Sequence, residues 1–193
     1  RVLAKKRDVR FVMAGSGDMM DEMIRLVAEK RISDRFHFTG FMKGRQVYEV
    51  YHASDVYVMP SVSEPFGITP LEAMQCGVPC IISKQSGCSE ILTYAIKLDY
   101  WDVDAMADAM YALVTYPALH DLLSQRGLDE VAGITWDNVA LKIRGLYDQV
   151  HAGPAGQFLC FGDHILFCTV DHSGCTQFQG FFQTFFHDIY HIN

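Results

Sequence analysis

For its first hundred residues the chain alternates short β-rich runs with helix-period segments, and this alternation restricts the fold more than any other feature. "VRFVMAG" (9–15) reads as a buried strand ending in a glycine turn, and "DMMDEMIRLVAEKR" (18–31) follows with Met19, Met23, Leu26 and Val27 near helical spacing. "RFHFTGF" (35–41) is the next strand, "GRQVYEVYHAS" (44–54) a short helix, and "DVYVMP" (55–60) a strand stopped by Pro60. "PLEAMQC" (70–76) predicts a helix closed by Gly77, "VPCII" (78–82) a strand, and "SEILTYA" with "IKLDY" one more helix–strand step. Strands separated by single helices imply parallel pairing, and a parallel sheet needs cover on both faces. The expected class is therefore α/β.

From 102 to 150 the pattern is helical only. Asp102 can cap a helix carrying Met106, Ala109, Met110 and Leu113, and Thr135 can cap "WDNVALKIRGLYDQV". Trp101 and Trp136 are expected to pack helices. Residue 151 marks a composition break: from His151 to Asn193 there is no Lys, Arg or Glu, while eight of the thirteen Phe and five of the eight His fall there. An ordinary surface is about a quarter charged, so 151–193 reads as an atypical Phe/His/Cys-rich tail, foreign to the preceding domain or disordered. In it Cys160, His164, Cys168, His172 and Cys175 are spaced by four, four, four and three, which on a helix would make a zinc-suited stripe. The β-branched, turn-rich "HILFCTVDHSG" argues against a continuous helix, and no metal site is assigned.

Composition narrows the function classes. The net charge of −7 and pI near 5.5 disfavour a duplex nucleic-acid binder, which would show a basic face. No apolar run reaches the roughly 18 residues of a membrane span. Cys76 and Cys80 lie in apolar surroundings, nothing demands disulfides, and a reducing cytoplasm is the expected location. The start, "RVLAKKRDVRF", runs from a basic segment straight into a strand and reads as part of a longer protein.

The stretch "SEPFGITPLE" (63–72) places Glu64 and Glu72 eight positions apart around a Pro, an aromatic residue, a Gly and a second Pro. One reading is purely local: Thr69 as N-cap, Pro70 at the first helical position and Glu72 closing a capping box. The other is a binding site. The stretch follows "DVYVMP", at the carboxyl end where open parallel sheets bind ligands. A helix starting there aims unpaired N–H groups and a positive dipole end outward, which suits a diphosphate, and carboxylates beside it suit sugar hydroxyls. The two readings are compatible.

"MPSVSEPFGITPLEAMQCGVPCIIS" resembles the signature of retaining nucleotide-sugar glycosyltransferases of family 4, the "group 1" glycosyltransferases, whose mark is E-x7-E. Agreement extends through "VRFVMAGSGD", "DRFHFTGF", "VYEVYHASDVYVMPS", "SGCSEIL", "WDVDAMADAM" and "TWDNVA", covering about residues 9–150. The resemblance implies the C-terminal, Rossmann-like half of a GT-B fold, so that 1–150 would be a donor-nucleotide-binding domain, N-terminally truncated, ending in a helical segment. It implies that Glu64 hydrogen-bonds the donor sugar as the catalytic-site carboxylate. The N–H groups of Phe66, Gly67 and Ile68 would face the sugar and diphosphate, Thr69 the phosphates, and Glu72 the ribose hydroxyls. Gly40, Phe41 and Met42 would lie along the base, and Gly15 and Gly17 of "AGSGD" would edge the cleft.

The reaction implied is transfer of a sugar, of hexosyl type, from a nucleoside-diphosphate sugar to an acceptor hydroxyl with retention, with no metal or cofactor. The acceptor would be a carbohydrate or a lipid-linked one, reached through an N-terminal domain, with the protein cytoplasmic and possible at the membrane surface. The family's Gly-Arg and Lys-Gly pair that grips the diphosphate has no counterpart in Arg1, Lys5, Lys6 and Arg7, so the chain is expected to be inactive alone. The alternatives are a non-catalytic nucleotide-binding or interaction module, or another GT-B enzyme such as a sugar-nucleotide epimerase.

Overall fold

The computed structural model describes residues 1–6, 8–152, 159–161 and 164–166. The chain forms two compact units, 1–135 and 136–193. In the first, α1 (Val2–Lys5) leads to β1 (Phe11–Ala14), α2 (Met20–Glu29), β2 (Phe36–Gly40), α3 (Arg45–His52), β3 (Tyr57–Met59) and α4 (Ile68–Gln75). Then come β4 (Cys80–Ser83), α5 (Cys88–Ile91), β5 (Ile96–Leu98), α6 (Val103–Thr115) and α7 (Pro117–Ala132). Each strand–helix step read from the sequence is present.

Every strand pairing in this unit is parallel, as crossover helices require. The strands make two ladders, β1–β2 and β3–β4–β5. In the first, Phe11 lies opposite Phe36 with rings stacked 5.3 Å apart. In the second, Tyr57 lies opposite Cys80, and Ile81 opposite both Val58 and Ile96. This is the expected α/β class.

Side-chain alternation along the second ladder divides the core. Tyr57, Met59, Cys80 and Ile82 turn to one face, against Ala73 and Met74 of α4 and Val131 of α7. Val58, Ile81, Ile96 and Leu98 turn to the other, against Met106 and Leu113 of α6. Helices thus cover both faces, and every residue of β4 is buried, which is why "VPCII" reads as an unbroken apolar run. Ile81 and Ile82 are wholly buried, and each contributes about 1.5–3 kcal/mol by leaving water.

Asp102 caps α6 as its position suggested, its carboxylate accepting the Ala105 N–H at 2.9 Å. The two tryptophans depart from expectation: Trp101 and Trp136 are 62% and 81% exposed. Trp101 sits in the turn closed by the Asp102 N–H on the Asp99 carbonyl. Its ring meets Tyr100 edge-on at 4.9 Å, so it packs on a turn and not on a helix.

The second unit contains α8 (Trp136–Ala152) and an antiparallel pair, β6 (Leu159–Phe161) and β7 (His164–Leu166). Cys160 and His164 therefore lie on strands, opposite Ile165 and Phe161, and not on one helical stripe. Cys168, His172 and Cys175 lie outside the described residues. Among the described residues no His/Cys/Asp/Glu group is arranged to hold a metal ion, and no helix is long and apolar enough to cross a membrane.

Candidate functional site

The loop after β3 runs along the carboxyl edge of the ladder and is held there by the loop after β4. Glu64 forms an isolated parallel bridge with Ser86. The Gly87 N–H donates to the Glu64 carbonyl at 2.9 Å, and the Cys88 N–H to the Phe66 carbonyl at 2.6 Å. This close approach needs a glycine, because a Cβ at Gly87 would overlap the Pro65 carbonyl. Gly67 is constrained twice. Its φ of +86° favours glycine, and a Cβ there would crowd Met59, Cys88 and Glu64 at 3.1–3.2 Å.

Gly67 is also the N-cap of α4, which begins at Ile68. The capping box therefore does not form. Thr69 and Glu72 are the second and fifth helical residues, and Gly67 makes no side-chain cap. Pro70 falls in the first turn, where the donors lack intrahelical partners and its missing N–H costs little. The N–H groups of Phe66, Gly67, Ile68 and Thr69 find no acceptor among the described residues. They lie at the positive end of the helix dipole.

The two side chains released from capping are engaged by tyrosines. The Tyr51 hydroxyl donates to Glu72 Oε2 at 3.3 Å, and the Tyr57 hydroxyl to Thr69 Oγ1 at 2.8 Å. Thr69 in turn directs its own proton to Met59 Sδ at 3.8 Å. Burial raises the Tyr51 phenol well above its ordinary range, with Tyr57 and Glu72 adding to it. Burial likewise pushes Tyr57 up to about 12. Both phenols thus remain protonated donors at neutral pH. Glu64 and Glu72 are partly buried, and among the described residues no Lys or Arg pairs with either. Their remaining lone pairs are open to hydroxyl donors.

The turns after β1 and β2 also meet, through the Gly15 N–H on the Gly40 carbonyl at 2.8 Å. Gly17 accepts from the Met20 N–H where α2 starts. Phe41 is 68% exposed, with the Lys43 ammonium 5.4 Å from its ring centre. Phe41 and Met42 line a cleft of about 530 Å³ together with Val12, Thr39 and the Gln46, Glu49 and Val50 side of α3. The same helix reaches Glu72 through Tyr51, so α3 links this cleft to the second glutamate.

Sequence reasoning missed Tyr51, Tyr57, Ser86 and Gly87 as site residues. The "SGC" of "SGCSEIL" was visible, but only its pairing with 64–66 shows its purpose. Cys76, Cys80 and Cys88 are free thiols. Burial pushes all three up, consistent with small apolar groups and not nucleophiles.

The family profile of glycosyl transferases group 1 matches residues 1–127. The chain belongs to this family. It is 29% identical over 150 residues, 75% of its length, to an uncharacterized glycosyltransferase of Methanocaldococcus jannaschii, and spans 38% of that relative. Among solved structures it resembles the C-terminal domain of a glycosyl transferase group 1 family protein from Francisella tularensis. That match has TM-score 0.62 and 25% identity, covering 68% of this chain and 72% of that one. It also shares its fold with Anabaena HepE in complex with UDP-glucose, with TM-score 0.64 and 19% identity, covering 78% of this chain and 43% of that one. The fold is that of GT-B glycosyltransferase C-terminal domains.

Proposed function

We propose that residues 1–150 are the donor-binding part of a retaining, family 4 glycosyltransferase that moves a hexosyl group from a nucleoside-diphosphate sugar to an acceptor hydroxyl. One observation carries the reading. The N–H groups at the start of α4, without an acceptor among the described residues, lie on the carboxyl edge of a parallel ladder, between two carboxylates with which no described Lys or Arg pairs. The N–H groups of Phe66, Gly67 and Ile68 take the diphosphate and sugar, joined by the Thr69 hydroxyl. Glu64, tied down through its backbone, accepts from hydroxyls of the donor sugar, and Glu72 accepts from the ribose. Gly40, Phe41 and Met42 run along the base, and Gly15 and Gly17 border the cleft.

As the glycosidic bond to the diphosphate breaks, negative charge grows on the leaving phosphate. Fixed N–H dipoles aimed at that charge lower the barrier without having to reorganise. This role calls for no cofactor beyond the nucleoside-diphosphate sugar itself. The UDP-glucose complex of HepE supports a donor of this class. The acceptor, a carbohydrate or lipid-linked sugar, would engage protein beyond this chain.

The test is a calorimetric titration of the full chain with UDP, GDP and ADP, wild type beside Glu72→Gln. One nucleotide binds, and the substitution weakens it roughly tenfold or more, the cost of losing a charged acceptor. Equal affinity in both proteins, or binding of none of the three, overturns the reading.

A further inference from the structure

Two tyrosines meet beneath the start of α4, and the donor-site reading leaves both unused. Tyr51 comes from α3 and is only 7% exposed; Tyr57 comes from β3. Their rings stand edge-to-face with centres 5.7 Å apart. Each hydroxyl donates to one of the two side chains assigned to the nucleotide: Tyr51 to Glu72 and Tyr57 to Thr69. We propose that Tyr51 and Tyr57 are positioning residues that set the direction of hydrogen bonding at the donor site, holding Glu72 as an acceptor for the ribose and Thr69 as a donor to the diphosphate. This rests on the donor-binding reading above.

A threonine hydroxyl has one proton and two lone pairs. With the Tyr57 proton on one lone pair, Thr69 keeps its own proton for donation. In the structure that proton goes to Met59 Sδ at 3.8 Å, and a thioether is a weak acceptor. An arriving phosphate oxygen takes the proton at the expense of that weak bond alone, gaining a charge-assisted one. The chain from Tyr57 through Thr69 to phosphate then runs in a single direction, so each bond polarises the next.

Glu72 is an unbranched side chain, partly exposed on the helix. The Tyr51 hydroxyl engages Oε2, which limits the carboxylate's swing and leaves Oε1 open. A ribose diol supplies two donors, and an ionised carboxylate accepts only. Phenylalanine would fill the same space at either position. The hydroxyls are therefore the informative part.

The experiment titrates the full 193-residue chain calorimetrically with UDP, GDP and ADP, each beside its 2′,3′-dideoxy counterpart. The proteins are wild type, Tyr51→Phe, Tyr57→Phe, Thr69→Val, the Tyr57→Phe/Thr69→Val pair and Glu72→Gln, each checked by a melting curve. Tyr51→Phe is expected to weaken the ribonucleotide about 3–10-fold and the dideoxynucleotide less than about 2-fold. Tyr57→Phe is expected to weaken both forms by about 2–10-fold in the wild-type background and to have no further effect once Thr69 is Val.

Equal losses of the two nucleotide forms in Tyr51→Phe would reduce Tyr51 to a structural residue. A Tyr57→Phe loss that persists beside Thr69→Val would do the same for Tyr57. If Glu72→Gln selectively weakens the ribonucleotide while Tyr51→Phe does not, positioning by Tyr51 falls and the donor site stands. If wild type binds no nucleotide, or treats ribo and dideoxy forms alike regardless of Glu72, the donor site itself falls, and positioning with it.

Discussion

The β1–β2 and β3–β4–β5 ladders share a parallel design but not a depth of burial. β4 is buried at every residue, and α4 buries Pro70, Ala73 and Met74. β1 alternates half-buried and exposed positions, with Val12 50% exposed, and α2 buries only Val27, leaving Ile24 and Leu26 at 46% and 43%. The apolar spacing of α2 is as good as that of its neighbours. Periodicity thus makes an amphipathic element, while burial depends on what arrives to cover it. The second ladder receives α4 and α7 on one face and α6 on the other. The consequence for function is a division of labour: Glu64, Thr69 and Glu72 stand on the densely packed half, and the Gly15–Gly17 and Gly40–Met42 turns on the lighter one.

The largest expected effect tests that contrast in the core. Ile82→Ala removes a wholly buried side chain and should cost about 2–5 kcal/mol in chemical unfolding. Ile24→Ala, on the half-exposed face of α2, should stay within about 1 kcal/mol. Similar losses at the two sites would erase the distinction between the halves.

Gly87→Ala compared with Gly17→Ala makes the same contrast at the site itself. A Cβ at Gly87 meets backbone, whereas one at Gly17 meets nothing within 4 Å. The first should cost about 1–3 kcal/mol, with a matching fall in melting temperature, and the second a few tenths. A Gly87→Ala protein as stable as wild type would mean that the 64–66 and 86–88 loops are not clamped together.

The smallest effect is in alkali. Burial lifts the Tyr57 phenol from 10.0 to about 12, so folding favours its neutral form. Its contribution is present in full below about pH 10, where the unfolded phenol is also neutral, and is lost as pH rises toward 12. Tyr57→Phe should therefore flatten the fall in stability over that window, by up to about 2 kcal/mol. An unchanged slope would indicate that Tyr57 is more open to water than the dense half implies.

Much of this was legible in the chain. Alternating apolar patterns located the strands and helices from β1 onward, while α1 (Val2–Lys5) lies in the basic start that read as leading straight into a strand, and Asp102 announced its cap. The position of "SEPFGITPLE" after a strand put two glutamates at a carboxyl edge. The start of α4 was misread by local chemistry: Thr69-Pro70-Leu71-Glu72 has the spacing of a capping box. It does not become one, because Gly67 takes the left-handed cap position and Tyr57 and Tyr51 claim the side chains. Tyr51 lies 21 residues from Glu72, and Tyr57 lies 12 from Thr69. No periodicity within either element pairs them.

The sequence by itself determined the class of fold and the order of its elements from β1 onward, because strand and helix periods are local properties of the backbone. Only the tertiary structure decided that 64–66 would be clamped to 86–88, and that two phenols, Tyr51 buried and Tyr57 half-buried, would aim their protons at Glu72 and Thr69. Those contacts arise when parallel crossovers bring distant residues to one edge of a sheet, where a buried hydroxyl must find a partner.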